Sequence, residues 1–267
     1  MVESPRTTRR QHRKSLAEDA NTAAPSIFRH ITTVEGLIHF MELATLNPAI
    51  GSIVQTLTID FKHMVSFSVS QLRAALLIVP NVQELLLYLP SPVPFGLLTD
   101  IRFRTLDFIA TNIPHASLVS FLSSHPTVTS LVLGPCGKSK ACPLAAVSTP
   151  NLVALECSVG CLSATSYSRL SRLTLDLPEA GVHMPTIIRH MTNVSSLSSL
   201  TVDFFPDDFD IVDAIADAIP QVRKLKLVEK KKPTVRVYLQ FAMFRMTLTD
   251  SGCHTASGRR FEPKAVE

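Results

Sequence analysis

Residues 128–161 read "VTSLVLGPCGKSKACPLAAVSTPNLVALECSVGC". Two apolar runs of the form L-x-h stand in this stretch, Leu131 to Leu133 and Leu155 to Cys157. Three residues before each first Leu comes another apolar residue, Val128 or Leu152. Each of these follows a proline dipeptide, Pro126-Thr127 or Pro150-Asn151. Two segments that share their punctuation as well as their apolar spacing suggest a structural repeat.

The same core form recurs on both sides. It reads "VQTLTI" (54–59), "VQELLL" (82–87), "FRTLDF" (103–108), "LSRLTL" (170–175), "LSSLTV" (197–202) and "VRKLKL" (222–227). The leading residues are Leu57, Leu85, Leu106, Leu131, Leu155, Leu173, Leu200 and Leu225, at a mean spacing of 24 residues. Between them lie helix-like segments. "SVSQLRAALLIVP" offers Ser70 as a cap, Leu72, Leu76 and Val79 on one face, and Pro80 as a stop. "HASLVSFLSSHP", "MPTIIRHMTNV" and "DDFDIVDAIADAIPQV" follow the same plan, the last opened by Asp210 and followed by Pro220.

A strand of about four residues, a turn and a short helix in every period is the unit of a leucine-rich repeat. The expected fold is therefore α/β: a curved leucine-rich-repeat solenoid of about eight short parallel strands, with helices on the convex side. A doubly wound parallel sheet also alternates strand and helix, but neither G-x-G-x-x-G nor G-x-x-x-x-G-K-[ST] occurs in the sequence.

Composition bounds the rest. Apolar residues make up 46 % of the 267 and charged residues 18 %, which suits a folded chain. The longest apolar run, "AALLIV" at 74–79, is far short of the roughly 20 residues that span a bilayer, so no membrane partner is expected. Five cysteines without framework spacing, and a polar N-terminus without a signal-like apolar segment, point to a cytoplasmic or nuclear setting. Arg6, Arg9, Arg10, Arg13 and Lys14 crowd the start, and Lys230 to Lys232 lie near the other end. No aromatic residue is interleaved for base stacking, so these read as solvated tails and no nucleic-acid partner is expected. The organisation expected is a basic tail at 1–26, the solenoid at 27–228, and a cap or tail at 229–267.

The repeat series in "FRHITTVEGLIHFMELATLNPAIGSIVQTLTIDF", "LRAALLIVPNVQELLLYLP" and the opening stretch resembles the degenerate leucine-rich repeats of fungal F-box-like proteins. The resemblance spans roughly residues 27–228. It implies the substrate-recognition part of a ubiquitin-ligase subunit, in which an F-box would grip a Skp-type adaptor. No opening such as L-P-x-E-[LI] is legible in residues 1–26, so adaptor binding is not expected. A truncated product with no ligase role is an alternative reading.

Catalysis and metals find little support in the spacing. Cys157-x₃-Cys161 fits a zinc pair loosely, but Cys136-x₅-Cys142 is too wide and no histidine lies nearby in sequence, so no metal or cofactor is expected. A Cys or Ser hydrolase is the rival from another class. His183 and His190 lack a carboxylate within "GVHMPTIIRHM" and read as surface residues. Asp207, Asp208 and Asp210 read as the charged start of a helix, where the macrodipole favours them.

What remains is the outward set of strand positions. Over seven strands it holds 21 residues with six acids and one base, against fewer than two acids at the chain's overall frequency of 22 in 267. The candidate binding residues are Asp60, Glu84, Tyr88, Asp107, Glu156, Arg172, Asp176 and Asp203. An acidic concave stripe on a chain of net charge +4 suggests a non-catalytic module that binds a basic protein partner there.

Overall fold

In the computed structural model, the described residues are 27–230 apart from 94–95, 137–141, 163–168, 177–182 and 192–193. The basic tail and residues 231–267 lie outside them. Nine strands form one open sheet, every neighbouring pair parallel and every strand beside its sequence neighbour. They are β1 (Ile27–Ile31), β2 (Val54–Asp60), β3 (Glu84–Tyr88), β4 (Phe108–Thr111), β5 (Ser130–Leu133), β6 (Ala154–Ser158), β7 (Arg172–Asp176), β8 (Ser199–Phe204) and β9 (Lys224–Glu229). A sheet built in sequence order with right-handed crossovers carries its connections on one face. This is the leucine-rich-repeat class of solenoid that the spacing predicts, with one strand more than the eight expected.

The opening stretch supplies two of its rungs. Leu57, Leu85, Ile109, Leu131, Leu155, Leu173, Leu200 and Leu225 stand in one continuous register across β2 to β9. The first seven are at most 5 % exposed, whereas Leu225 on the terminal strand is 40 % exposed. At the other edge Arg29 of β1 takes the same rung, beside Leu57. Its guanidinium lies 5.6 Å from the Phe40 ring centroid, which ends the apolar ladder with a charge. A charge at a sheet edge discourages pairing with another chain.

One register expectation is corrected. Leu106 does not lie in β4; it is fully buried in the connection that precedes the strand, and Ile109 takes the rung. The stretch "LDFIAT" offers two apolar starts three residues apart. The core takes both, one as filler and one as strand.

Helices α1 (Val34–Leu46), α2 (Pro48–Ser52), α3 (Val69–Leu77), α4 (His115–Ser123), α5 (Met184–Arg189) and α6 (Ile211–Ala218) join several of the strands. Their buried residues, such as Phe40, Leu72, Leu76, Leu118, Ile188 and Ile215, share one core with the inward strand residues. The cap of α3 is Ser68 rather than Ser70, because its Oγ accepts the Gln71 N–H while Ser70 already lies in the helix. Gly51 at the end of α2 meets the Ile78 carbonyl so closely that any Cβ would collide with backbone.

The β3–β4 connection is held by polar side chains. Arg73 of α3 donates to the carbonyls of Gly96 and Leu97, both at 2.9 Å, and so fixes the β3–β4 connection. Beyond α4, buried His125 accepts the Phe103 N–H at its Nε2 (3.0 Å) and donates from Nδ1 to the Phe121 carbonyl (2.7 Å). After β5 and β6 the described residues include 3₁₀ turns, Pro143–Ala146 and Val159–Cys161.

Candidate functional site: the helix-free face and a buried thiol cluster

Outward residues form rows across the sheet. The middle row runs Thr58, Leu86, Ala110, Val132, Glu156, Thr174, Thr201 and Lys226. The first row runs Thr56, Glu84, Phe108, Ser130, Ala154, Arg172, Ser199 and Lys224. Over β3 to β5 the middle row of this face is apolar, with Leu86 and Val132 half-buried and Ala110 buried, while the first row sets half-buried Phe108 between Glu84 and Ser130.

The acids do not share one row. Glu84 lies in the first and Glu156 in the middle, while Asp60 pairs across to Tyr88 and Asp176 to Ser158 in the third. Asp107 precedes β4, is exposed, and accepts the Thr129 hydroxyl, so it is not an outward strand residue. Its misplacement follows from the three-residue slip between Leu106 and Ile109. Near β2 and β3, Lys62 lies 3.5 Å from Asp60 and 4.6 Å from the Tyr88 ring centroid, which compensates the charge at that end.

Charge gathers instead over β6 to β8. Burial, then the neighbouring Asp203 and Glu156, push the Asp176 carboxyl up to about 6, with Lys230 opposing. Asp203 is 4 % exposed and pairs with Lys230 at 2.7 Å. Arg172 is exposed in the first row of the same strand as Asp176. The face thus has an apolar patch beside a cluster of three acids.

A second group lies on the other side of the sheet, and spacing alone missed it. One ligand atom from each of His115, Cys136, Cys142 and Cys161 lies within 4.8 Å of the other three. The histidine comes from the first turn of α4, two strands before Cys161, which is why sequence proximity failed to find it. Cys157, whose spacing to Cys161 fits a zinc pair only loosely, is fully buried in β6 and is not among them. His115 Nε2 donates to the Gly134 carbonyl at 3.1 Å, which leaves Nδ1 as the lone-pair nitrogen. That Nδ1 lies 3.2 Å from Cys142 Sγ and 3.5 Å from Cys161 Sγ. The expectation that no histidine accompanies the cysteines is therefore corrected.

Burial pushes the Cys142 thiol up and the Cys161 thiol up to about 12, whereas a nucleophilic cysteine needs its pKa lowered. The adjoining apolar cavity, lined by Leu131, Leu155 and Cys161 among others, holds only about 20 Å³, room for little more than a water molecule.

His183 does meet carboxylates, contrary to the reading of its own segment. Asp208 and Asp210 of the next repeat each lie 3.8 Å from its Nε2. Buried Asp208 accepts the Phe205 N–H at 3.0 Å, and Asp210 binds Arg189 at 2.7 Å, so both acids tie the α5 and α6 regions together. His190 bonds its own helix through the Thr186 carbonyl.

No known family's sequence profile matches the chain, and no curated protein is significantly similar to it. Among solved structures, the leucine-rich repeat-containing protein LegL7 of Legionella pneumophila is similar, with a TM-score of 0.49 and 16 % identity. The match covers 83 % of this chain and 78 % of that one. A likeness this distant says nothing about what the chain binds. No helix among the described residues is long and apolar enough to cross a membrane.

Proposed function

We propose that the chain is a protein-interaction repeat module, without catalysis of its own, that captures a cationic segment of another protein on its helix-free face. The observation that carries this reading is the row Leu86, Ala110, Val132, Glu156, in which an apolar run ends on an acid, with Asp176 one strand further on in the neighbouring row. All-parallel sheets normally have both faces covered. Here the described helices share the core of one face only, and Leu86 and Val132 on the other face are half-buried. An apolar centre with a charged border is also the usual anatomy of a protein interface.

Asp60, Glu84, Tyr88, Glu156, Arg172, Asp176 and Asp203 are the residues assigned to contact the partner, with Glu156 and Asp176 providing the field that favours lysine or arginine, since Lys230 already pairs with Asp203. The finer reading, recognition of substrates for an F-box type ubiquitin ligase in the cytoplasm or nucleus, rests on the resemblance of the repeat series alone.

A peptide-display selection on the full chain tests the proposal. Enriched sequences are expected to combine lysine or arginine with an apolar anchor. Enrichment of acidic sequences, or of none, would overturn it.

A further inference from the structure

Four side chains with strong affinity for soft metal ions converge from three successive repeats: His115 opens α4, Cys136 follows β5, Cys142 precedes one 3₁₀ turn and Cys161 closes the other. Three of the four are buried and Cys136 is half-buried. Tetrahedral zinc, with Zn–S near 2.3 Å and Zn–N near 2.0–2.1 Å, sets neighbouring ligand atoms about 3.5–3.8 Å apart. The 3.2 and 3.5 Å separations at His115 Nδ1 already lie close to that figure. The limit of 4.8 Å for the whole set leaves about 1 Å to close by side-chain rotation.

The outer contacts suit metal ligands. A ligating histidine usually gives its other N–H to a carbonyl or carboxylate, which fixes the tautomer. Nε2 of His115 does this to Gly134, so its Nδ1 lone pair faces the thiols. The Ser158 hydroxyl lies 3.3 Å from Cys161 Sγ, and the Leu144 amide bonds Cys142, so donors are in place for two thiolates. Buried cysteines that serve only as small apolar residues need no such donors and no inward imidazole.

We propose that His115, Cys136, Cys142 and Cys161 form a closed Cys₃His site for Zn²⁺, a structural site with no coordination position left for substrate. Binding balances as one Zn²⁺ taken up and three thiol protons released, the imidazole being already unprotonated at Nδ1, to leave a site of net charge −1. Its place in the fold gives the reason for it. The described parts of the connections after β5 and β6 contain 3₁₀ turns. The ion would cross-link those two turns to α4. Thiolate and imidazole together favour zinc over the hard cations.

The test is a titration of the reduced full chain with Co²⁺, followed by displacement with Zn²⁺. One equivalent of Co²⁺ is expected to give the d–d and thiolate charge-transfer bands of tetrahedral cobalt, and Zn²⁺ to abolish them. About three protons should be released per ion at neutral pH. Cys157→Ala should keep the full spectrum. Cys136→Ala, at the half-exposed ligand, should weaken binding by more than about 100-fold, beyond the loss that follows removal of an outer partner. If Cys136→Ala does not fold, the titrations of the unmodified chain and of Cys157→Ala decide the matter. No tetrahedral spectrum, a disulfide among these cysteines in protein prepared under reducing conditions, or loss of the metal in Cys157→Ala would each overturn the proposal.

Discussion

The side-chain amide of Asn151 donates to the carbonyl of Pro126, 3.0 Å away and one repeat earlier. The same bond recurs around the sheet, in four repeats from the residue after a proline and in two more from Thr105 and Ser196, which follow none. Asn81 donates to Ser52, Thr127 to Leu106 and Gln221 to Val194, at 2.8, 2.7 and 2.7 Å. The proline dipeptides of the sequence thus do two jobs: proline ends the preceding segment, and the polar residue after it ties each repeat to the one before. Asn151→Ala removes the bond to Pro126 and the one its Oδ1 accepts from Arg169, so it should lower stability by about 1–3 kcal/mol, at about 0.5–1.5 kcal/mol for each. Urea unfolding checks this, with a lower midpoint and an unchanged slope expected.

Position on the leucine ladder predicts sharply different costs for one substitution. Leu155 is 5 % exposed between two strands, whereas Leu225 is 40 % exposed on the terminal strand. Leu155→Ala should cost about 2–5 kcal/mol, the range for a buried leucine. Leu225→Ala should cost clearly less, and equal losses in thermal unfolding would contradict the order of strands described.

Asp176 gives the fold a pH dependence whose sign is fixed. Burial, then Asp203 and Glu156, raise its carboxyl from 3.8 to about 6. The folded chain therefore prefers the protonated acid. That preference contributes fully below about pH 3.8 and is lost as the pH rises through about 6. Asp176→Asn, which cannot ionise, should gain over the unmodified chain on the alkaline side. The difference in Tm should widen between about pH 4 and pH 7, and a constant difference would contradict the assignment.

The fold was legible where chemistry repeats locally. Leu57, Leu85, Leu131, Leu155, Leu173, Leu200 and Leu225 all stand on the expected rung, because alternation within a short strand is written in adjacent residues. Leu106 did not, because Ile109 three residues on satisfies the same pattern and only packing chooses between them. β1 escaped the repeat search because Arg29 stands where the leucine would be. The thiol cluster was hidden for a different reason. His115 and Cys161 are 46 residues apart, and only the stacking of repeats brings them together. The acids of the outer face were visible as residues but not as an arrangement, since rows across the sheet depend on register that no single strand records.

The central claim, that the helix-free face binds a cationic protein segment, is tested most directly by charge reversal on two faces of the same molecule. Glu156→Lys with Asp176→Lys changes the proposed site, and Asp213→Lys with Asp217→Lys changes exposed positions of α6. Both pairs alter the net charge equally. Association of a basic peptide taken from the selection should slow by about tenfold or more for the first pair at low salt, with the loss shrinking as salt rises. It should change little for the second. Equal slowing by both pairs, or none by the first, would contradict binding on this face.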